Sequence, residues 1–185
     1  AISKLDLTCQ PGEFVVVDQF IDRTRMRKDT FFEDGIVAHV AFADPICPVL
    51  KREAVKACKA AGATVHEGGT YVCIEGPMFS SRAESNVYRG WGVDVIGMTN
   101  YQEARLAREA EICYATIALV TDYDCWREEE GAVDTSMVLA TLQKNVAMAQ
   151  KTVRELFKSG DFSGSCACGS ALANSIMTSP EGISP

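Results

Sequence analysis

The sequence has no apolar run long enough to cross a bilayer. Its longest, Ile112 to Val120, contains Tyr114 and Thr116 and falls far short of the roughly 20 residues that a membrane-spanning helix needs. No charged-then-apolar leader opens the chain, so the expected location is the cytoplasm. Positive charge is also scarce. The formal net charge is −7, and no stretch gathers Lys and Arg into the basic face that nucleic acid or an anionic membrane requires. Neither is an expected partner. A phosphate loop is missing as well, because Gly68-Gly69 leads into the strand-like run Thr70-Tyr71-Val72-Cys73-Ile74-Glu75 and not into a helix with the required Lys and Ser or Thr. A hairpin turn is the better reading of that glycine pair. Internal repeats and low-complexity tracts are absent. What remains is an ordinary composition, 47% hydrophobic and 23% charged over 185 residues, enough for one domain with a sizeable core or for the larger part of a somewhat bigger one.

Eight cysteines are present. Cys9, Cys47, Cys58, Cys73, Cys113 and Cys125 stand singly in apolar surroundings and read as small buried hydrophobes. Cys166-Ala167-Cys168 is different. One intervening residue is awkward for tetrahedral zinc, and no second Cys or His pair nearby completes a site, which leaves a redox-active or structural disulfide as the alternative to free thiols.

The chain begins at Ala1 without an initiator Met, and Leu5, Leu7 and Pro11-Gly12 have the look of the middle of a fold. An N-terminal portion preceding this sequence is therefore expected. Glu13 to Asp18 reads as a strand. Gln19 to Gly35, with Arg23, Arg25, Arg27 and Lys28 among interleaved acids, reads as a long surface loop whose charges form solvated ion pairs. Strand character resumes at Ile36 to Ala41 around His39. Pro48 to Ala61 has helical spacing with Gly62 placed to end it. Thr64 to His66 and Thr70 to Glu75 are expected strands. Ser81 and Glu84 stand at capping-box spacing, so a helix begins at Ser81, with Val87, Tyr88 and Trp91 on its buried face and Gly92 as its stop. Val93 to Met98 is a further strand. Thr99 and Gln102 repeat the capping spacing ahead of a helix from Tyr101 to Ala110. Ile117 to Val120 is a buried strand, Arg127 to Glu130 a loop over the site, Ser136 to Phe157 a long amphipathic helix with Val138, Leu142, Val146, Ala149, Val153 and Leu156 on one face, and Ala167 to Met177 a final short helix.

This alternation implies an α/β fold with a mixed, mostly parallel sheet flanked by helices on both faces. Three strand ends then converge on one cleft: Phe79-Ser80, Met98-Thr99 and Asp122-Tyr123-Asp124. If extended geometry persists past Val120, Asp122 and Asp124 point to the same side; the plainer account is a turn in which Asp caps the following backbone. The set suits a flat, nitrogen-rich ring, with Phe79 as a stacking face, Ser80 as a hydroxyl and the carboxylates as acceptors or, if protonated, donors.

The segment from Ile74-Glu75-Gly76-Pro77 through Ser85, with Gly97-Met98-Thr99, Thr121 to Trp126 and Phe14 to Thr24, resembles the methylthioadenosine-cleaving members of the purine nucleoside phosphorylase family. The resemblance covers nearly the whole chain in order. It implies phosphorolysis of the N-glycosidic bond to adenine and 5-methylthioribose 1-phosphate, with inorganic phosphate as co-substrate and no cofactor or metal. By the same resemblance, Asp122 protonates or hydrogen-bonds adenine N7, Asp124 and Ser80 help bind the base, Phe79 packs on it, Ile96 and Met98 lie against the nucleoside, and Thr99 binds phosphate. An Asp donates only where burial holds its pKa high. Relatives acting on 6-oxopurines have Glu at the Ser80 position and Asn at the Asp122 position, which favours a 6-aminopurine here. Val133, Thr135 and Val138 match the pocket for the methylthio group, Thr135 being more polar than a thioether prefers. His39 matches a residue that reaches a neighbouring subunit's site in the family's trimers, so a homotrimer or dimer of trimers is expected. The family's remaining phosphate ligands belong to the N-terminal portion, making residues 1–185 the C-terminal larger part of a single domain. Two alternatives stay open: a phosphorylase for adenosine or methylthioinosine, and a non-catalytic nucleoside-binding module.

Overall fold

The computed structural model describes residues 1–2, 9–126 and 135–183. β1 (Phe14–Val16) is buried on both faces, as expected for a β-branched run inside a layered fold. It pairs in parallel with β3 (Val65–Glu67) and antiparallel with β6 (Ile117–Leu119). β2 (Gln19–Arg23) pairs in parallel with β4 (Thr70–Ile74), which pairs in parallel with β5 (Val95–Gly97).

The two three-stranded sheets are halves of one bent ribbon. β1 runs into β2 and β3 into β4, and the two chains stay bonded through the bend: Gly68 N–H donates to Val16 O at 2.9 Å and Asp18 N–H to Gly69 O at 3.1 Å. The glycine pair is therefore not a hairpin turn, since the strands on either side of it continue in one direction. Gly68 and Gly69 both have positive φ, and a Cβ on Gly68 would come within 3.0 Å of the Asp18 carboxylate. β2 also replaces part of the expected loop. Its polar ends hid a strand that sits at the sheet edge and is only half-buried.

Side-chain alternation assigns the helices to faces. Phe14 and Val16 form one cluster with Ala54, Val55 and Cys58 of α1 (Pro48–Ala61) and with Met148 and Ala149 of α4 (Thr135–Ser159). Val72 and Ile74 pack with Tyr88 of α2 (Arg82–Gly90), while Tyr71 and Cys73 face Tyr101 of α3 (Tyr101–Glu109). Helices thus cover both faces of the ribbon.

α1 starts with Pro48 and ends at Gly62 in the left-handed conformation, and the Ser81–Glu84 capping box forms. Other expectations are corrected. Ile36 to Ala41 makes only an isolated bridge, Ala38 to Ile176, because its partner is the irregular C-terminal segment. Ala167 to Met177 holds a single 3-10 turn, Cys168–Ser170, and no helix. Of the three residues expected on the buried face of α2, Tyr88 is buried while Val87 and Trp91 are exposed; Trp91 instead lies under Arg23 at 5.8 Å. On α4 the contact side is offset from the apolar stripe. Asn145 and Thr152 are buried, whereas Val146 and Val153 are 43% and 48% exposed. Asn145 earns its place by donating to Val120 O at 3.0 Å, which ties α4 to the end of β6.

Glu53, 2% exposed on α1, accepts from Arg52 at 2.7 Å, Lys56 at 2.9 Å and the Asp161 N–H at 3.2 Å. The Arg52 and Lys56 hydrogen bonds hold its carboxyl at about 2 against an ordinary 4.5. A depressed pKa means that its stabilisation is complete above the ordinary value and is lost as the pH falls toward the folded value. Glu53→Gln is expected to unfold more readily than the parent at neutral pH in urea titrations, with the gap closing as the pH drops from about 4.5 toward 2. A gap that stayed constant would mean that the pairing contributes nothing.

Candidate active site

A cavity of about 570 Å3 opens where three chain segments end, well inside the range of small-molecule sites, roughly 300–1,000 Å3. Phe79 and Ser80 reach it from the turn before α2, Ile96, Met98 and Thr99 from the end of β5, Asp122 and Asp124 from the turn after β6, and Val138 from α4. Thr135, exposed at the first position of α4, is not among the residues lining the cavity. Val133 lies outside the described residues. His39 is exposed and not part of the lining; its N–H donates to Ser175 O at 2.8 Å.

The two aspartates converge by a turn and not by strand alternation. β6 stops at Leu119, and Asp124 takes a positive φ of 63°. Asp122 Oδ1 accepts from the Asp124 N–H at 2.9 Å, an Asx-type closure, while Asp122 Oδ2 accepts from the Thr121 hydroxyl at 2.6 Å. Asp124 is buried and accepts from the buried Ser85 hydroxyl at 2.5 Å. Ser85 lies on α2, so this bond fastens the carboxylate turn to the helix that carries Phe79 and Ser80 at its entrance. Arg82 reinforces the same joint by donating to Cys125 O at 2.9 Å. Phe79 itself is 52% exposed, a ring left free to stack.

The charged side chains lining the cavity are Asp122, Asp124 and Glu103; among the described lining residues none is Lys or Arg. Such a wall offers acceptors to an amino group or ring N–H. The cations of the 19–35 segment serve elsewhere. Arg27 donates to Met98 O at 2.5 Å and to Glu75 O at 2.7 Å, clamping the ends of β5 and β4, and Lys28 pairs with Glu33 at 2.8 Å.

Close backbone approach shapes the floor. A Cβ on Gly97 would lie 1.8 Å from the Tyr71 hydroxyl oxygen, and Tyr71 is buried, which pushes its hydroxyl up to about 12. Gly97→Ala must displace that ring, and overpacking of this kind costs about 1–3 kcal/mol. Urea denaturation is expected to register that loss; an unchanged midpoint would mean that Tyr71 relocates freely.

Sequence reading missed Asn100. It is 5% exposed, has φ of 95°, and begins α3 in place of the expected Thr99. Its N–H donates to Glu103 Oε2 at 2.5 Å, and its Oδ1 accepts from the Tyr114 and Thr116 hydroxyls at 2.7 and 2.6 Å. The signal was present in Asn100-x-x-Glu103, one residue out of phase with Thr99-x-x-Gln102.

The model of the phosphorylase superfamily matches residues 4–158. A protein of Koribacter versatilis (strain Ellin345) named S-methyl-5′-thioadenosine phosphorylase is 52% identical over 181 residues, covering 98% of this chain and 62% of its own length. A methylthioadenosine phosphorylase structure from an antarctic soil metagenomic library superposes with a TM-score of 0.87 at 44% identity, over 94% of this chain and 62% of that one. A mutant adenosine/methylthioadenosine phosphorylase from Schistosoma mansoni in complex with tubercidin gives 0.84 at 32% identity, over 90% and 68%. The chain thus spans about three fifths of the length of the curated relative.

Proposed function

This chain belongs to the phosphorylase superfamily, and on that premise we propose that the whole protein cleaves 5′-methylthioadenosine with inorganic phosphate, giving adenine and 5-methylthioribose 1-phosphate. The observation that carries the reading is the meeting of Phe79, Ser80, Met98, Thr99, Asp122 and Asp124 in one cavity. In the proposed reaction a phosphate oxygen forms the bond to C1′ as the C1′–N9 bond breaks. The bonding pair leaves with the purine, whose N7 takes a proton or hydrogen bond from Asp122. Because the base gains negative charge only as the bond breaks, this donor acts mainly in the transition state. Asp124, oriented by Ser85, and Ser80 position the base; Phe79 stacks on it. Ile96 and Met98 contact the nucleoside, Val138 with Val133 the methylthio group, and Thr99 the phosphate.

We further propose that residues 1–185 are the C-terminal larger part of one nucleoside phosphorylase domain. The remaining phosphate ligands then lie in the rest of the protein, a placement supported by the 62% coverage of the Koribacter relative. A homotrimer, with His39 reaching a neighbour's site, is supported by the exposed His39 and the uncovered apolar stripe of α4. The protein is proposed to act in the cytoplasm, in purine and methionine salvage, without a cofactor beyond phosphate. No described helix is long and apolar enough to cross a membrane.

The test is adenine release by the whole protein with and without phosphate, across methylthioadenosine, adenosine and methylthioinosine. Phosphate-dependent release, fastest with methylthioadenosine, is expected. Preference for adenosine would favour the broader activity named for the Schistosoma relative; nucleoside binding without turnover would overturn the enzymatic reading.

A further inference from the structure

Four cysteines far apart in the chain meet at one point. Cys47 is the N-cap of α1, Cys113 follows α3, and Cys166 and Cys168 come from the segment after α4. Their four sulfurs all lie within 4.8 Å of one another, and those of Cys113 and Cys166 are 3.5 Å apart. Four sulfurs each about 2.3 Å from a tetrahedral ion stand about 3.8 Å from one another. A disulfide needs about 2.05 Å, and all eight cysteines are free thiols. We infer that Cys47, Cys113, Cys166 and Cys168 form a tetrathiolate site for a soft divalent metal ion, zinc by ligand type and geometry.

The expectation that no second pair completes a site is thereby corrected: the other two ligands come from elsewhere in the fold. The short Cys-Ala-Cys spacing works because Ala167 sits at φ −85°, ψ 4°, bending the chain into the 3-10 turn that Cys168 opens. Cys47 and Cys168 are 1% and 4% exposed and pack with the buried Val49, whereas Cys113 is exposed and Cys166 partly so. One side of the cluster is dry and the other admits an ion. The N-terminal end of α1, with no acidic residue in its first turn, faces the thiolate charge and favours it.

Four protein ligands make a closed site, so its role is structural. It would fasten the C-terminal segment to α1 and to the Cys113–Thr116 stretch. The Cys47 N–H already donates to Tyr114 O at 2.9 Å, and the Tyr114 and Thr116 hydroxyls hold Asn100 in the cavity wall. The inference does not depend on the phosphorolysis reading.

The test is metal analysis of the full-length protein purified in reducing buffer and supplied with zinc. About one zinc per chain is expected, released by a mercurial thiol reagent, with cobalt substitution giving thiolate-to-metal charge-transfer bands and tetrahedral d–d bands. Cys113→Ser is expected to weaken zinc binding by at least about tenfold, and the double variant Cys166→Ser, Cys168→Ser to abolish it. If the double variant fails to fold, Cys113→Ser, at an exposed position, decides alone. Absence of zinc from a parent protein with all four thiols reduced, recovery of these cysteines as disulfides from that buffer, or unchanged zinc affinity of Cys113→Ser in competition with a chelator would each overturn the site.

Discussion

Asp122→Asn is expected to lower kcat for phosphate-dependent release of adenine from methylthioadenosine by about 10²–10⁴-fold, the usual weight of a positioned general acid. The substitution conserves shape. Asparagine keeps an Oδ1 to accept from the Asp124 N–H, the bond that forms the turn, and the Thr121 hydroxyl can rotate to accept from the new Nδ2. Stability should therefore stay within about 0.5 kcal/mol of the parent. What asparagine cannot do is release a proton to N7. Since that transfer belongs to bond breaking, kcat and kcat/KM should fall together while KM changes little. Turnover equal to the parent's would remove Asp122 from the chemistry, and a rise in KM alone would make it a binding residue.

The parts of this site that could be read in the sequence are those where one local signal coincides with one structural fact. Phe79-Ser80, Met98-Thr99 and Asp122-Asp124 each follow a β-branched or apolar run, and an α/β sheet gathers such ends at one edge. The strands themselves are shorter than the runs suggest, β5 being Val95–Gly97 within Val93 to Met98, because burial extends beyond the paired residues. β2 was hidden because Gln19, Asp22 and Arg23 are polar; a half-buried edge strand needs no apolar run. Gly68-Gly69 carried a genuine turn signal, but a glycine pair does not encode the direction of its partner strand. The four-cysteine cluster was illegible for a related reason: Cys113 and Cys166 are 53 residues apart, and only the packing of α1, α3 and the C-terminal segment brings them together.

Asn100 is the case where missing the residue meant missing a joint, and its replacement tests how much that joint contributes. Asn100→Ala removes the acceptor shared by the Tyr114 and Thr116 hydroxyls, and a buried polar group left without a partner costs about 1–3 kcal/mol. Both hydroxyl side chains are only half-buried, so water recovers part of that loss. Alanine must also hold φ 95° and ψ −45°, outside the left-handed helical region and strained by about 1–3 kcal/mol for any residue with a Cβ, a cost that asparagine already carries. The lost acceptor therefore predicts a loss of about 1–3 kcal/mol in urea unfolding. Asn100→Gly separates the two causes, since glycine accepts the backbone geometry but offers no oxygen; it should be less damaging than alanine by about 1 kcal/mol. Asn100→Asp, which retains an acceptor, should be the mildest of the three. If glycine proves as harmful as alanine, the hydroxyl pairing dominates; if all three variants match the parent, Asn100 does not hold the 114–116 stretch against the cavity wall, and the path from the cysteine cluster to the site loses its middle step.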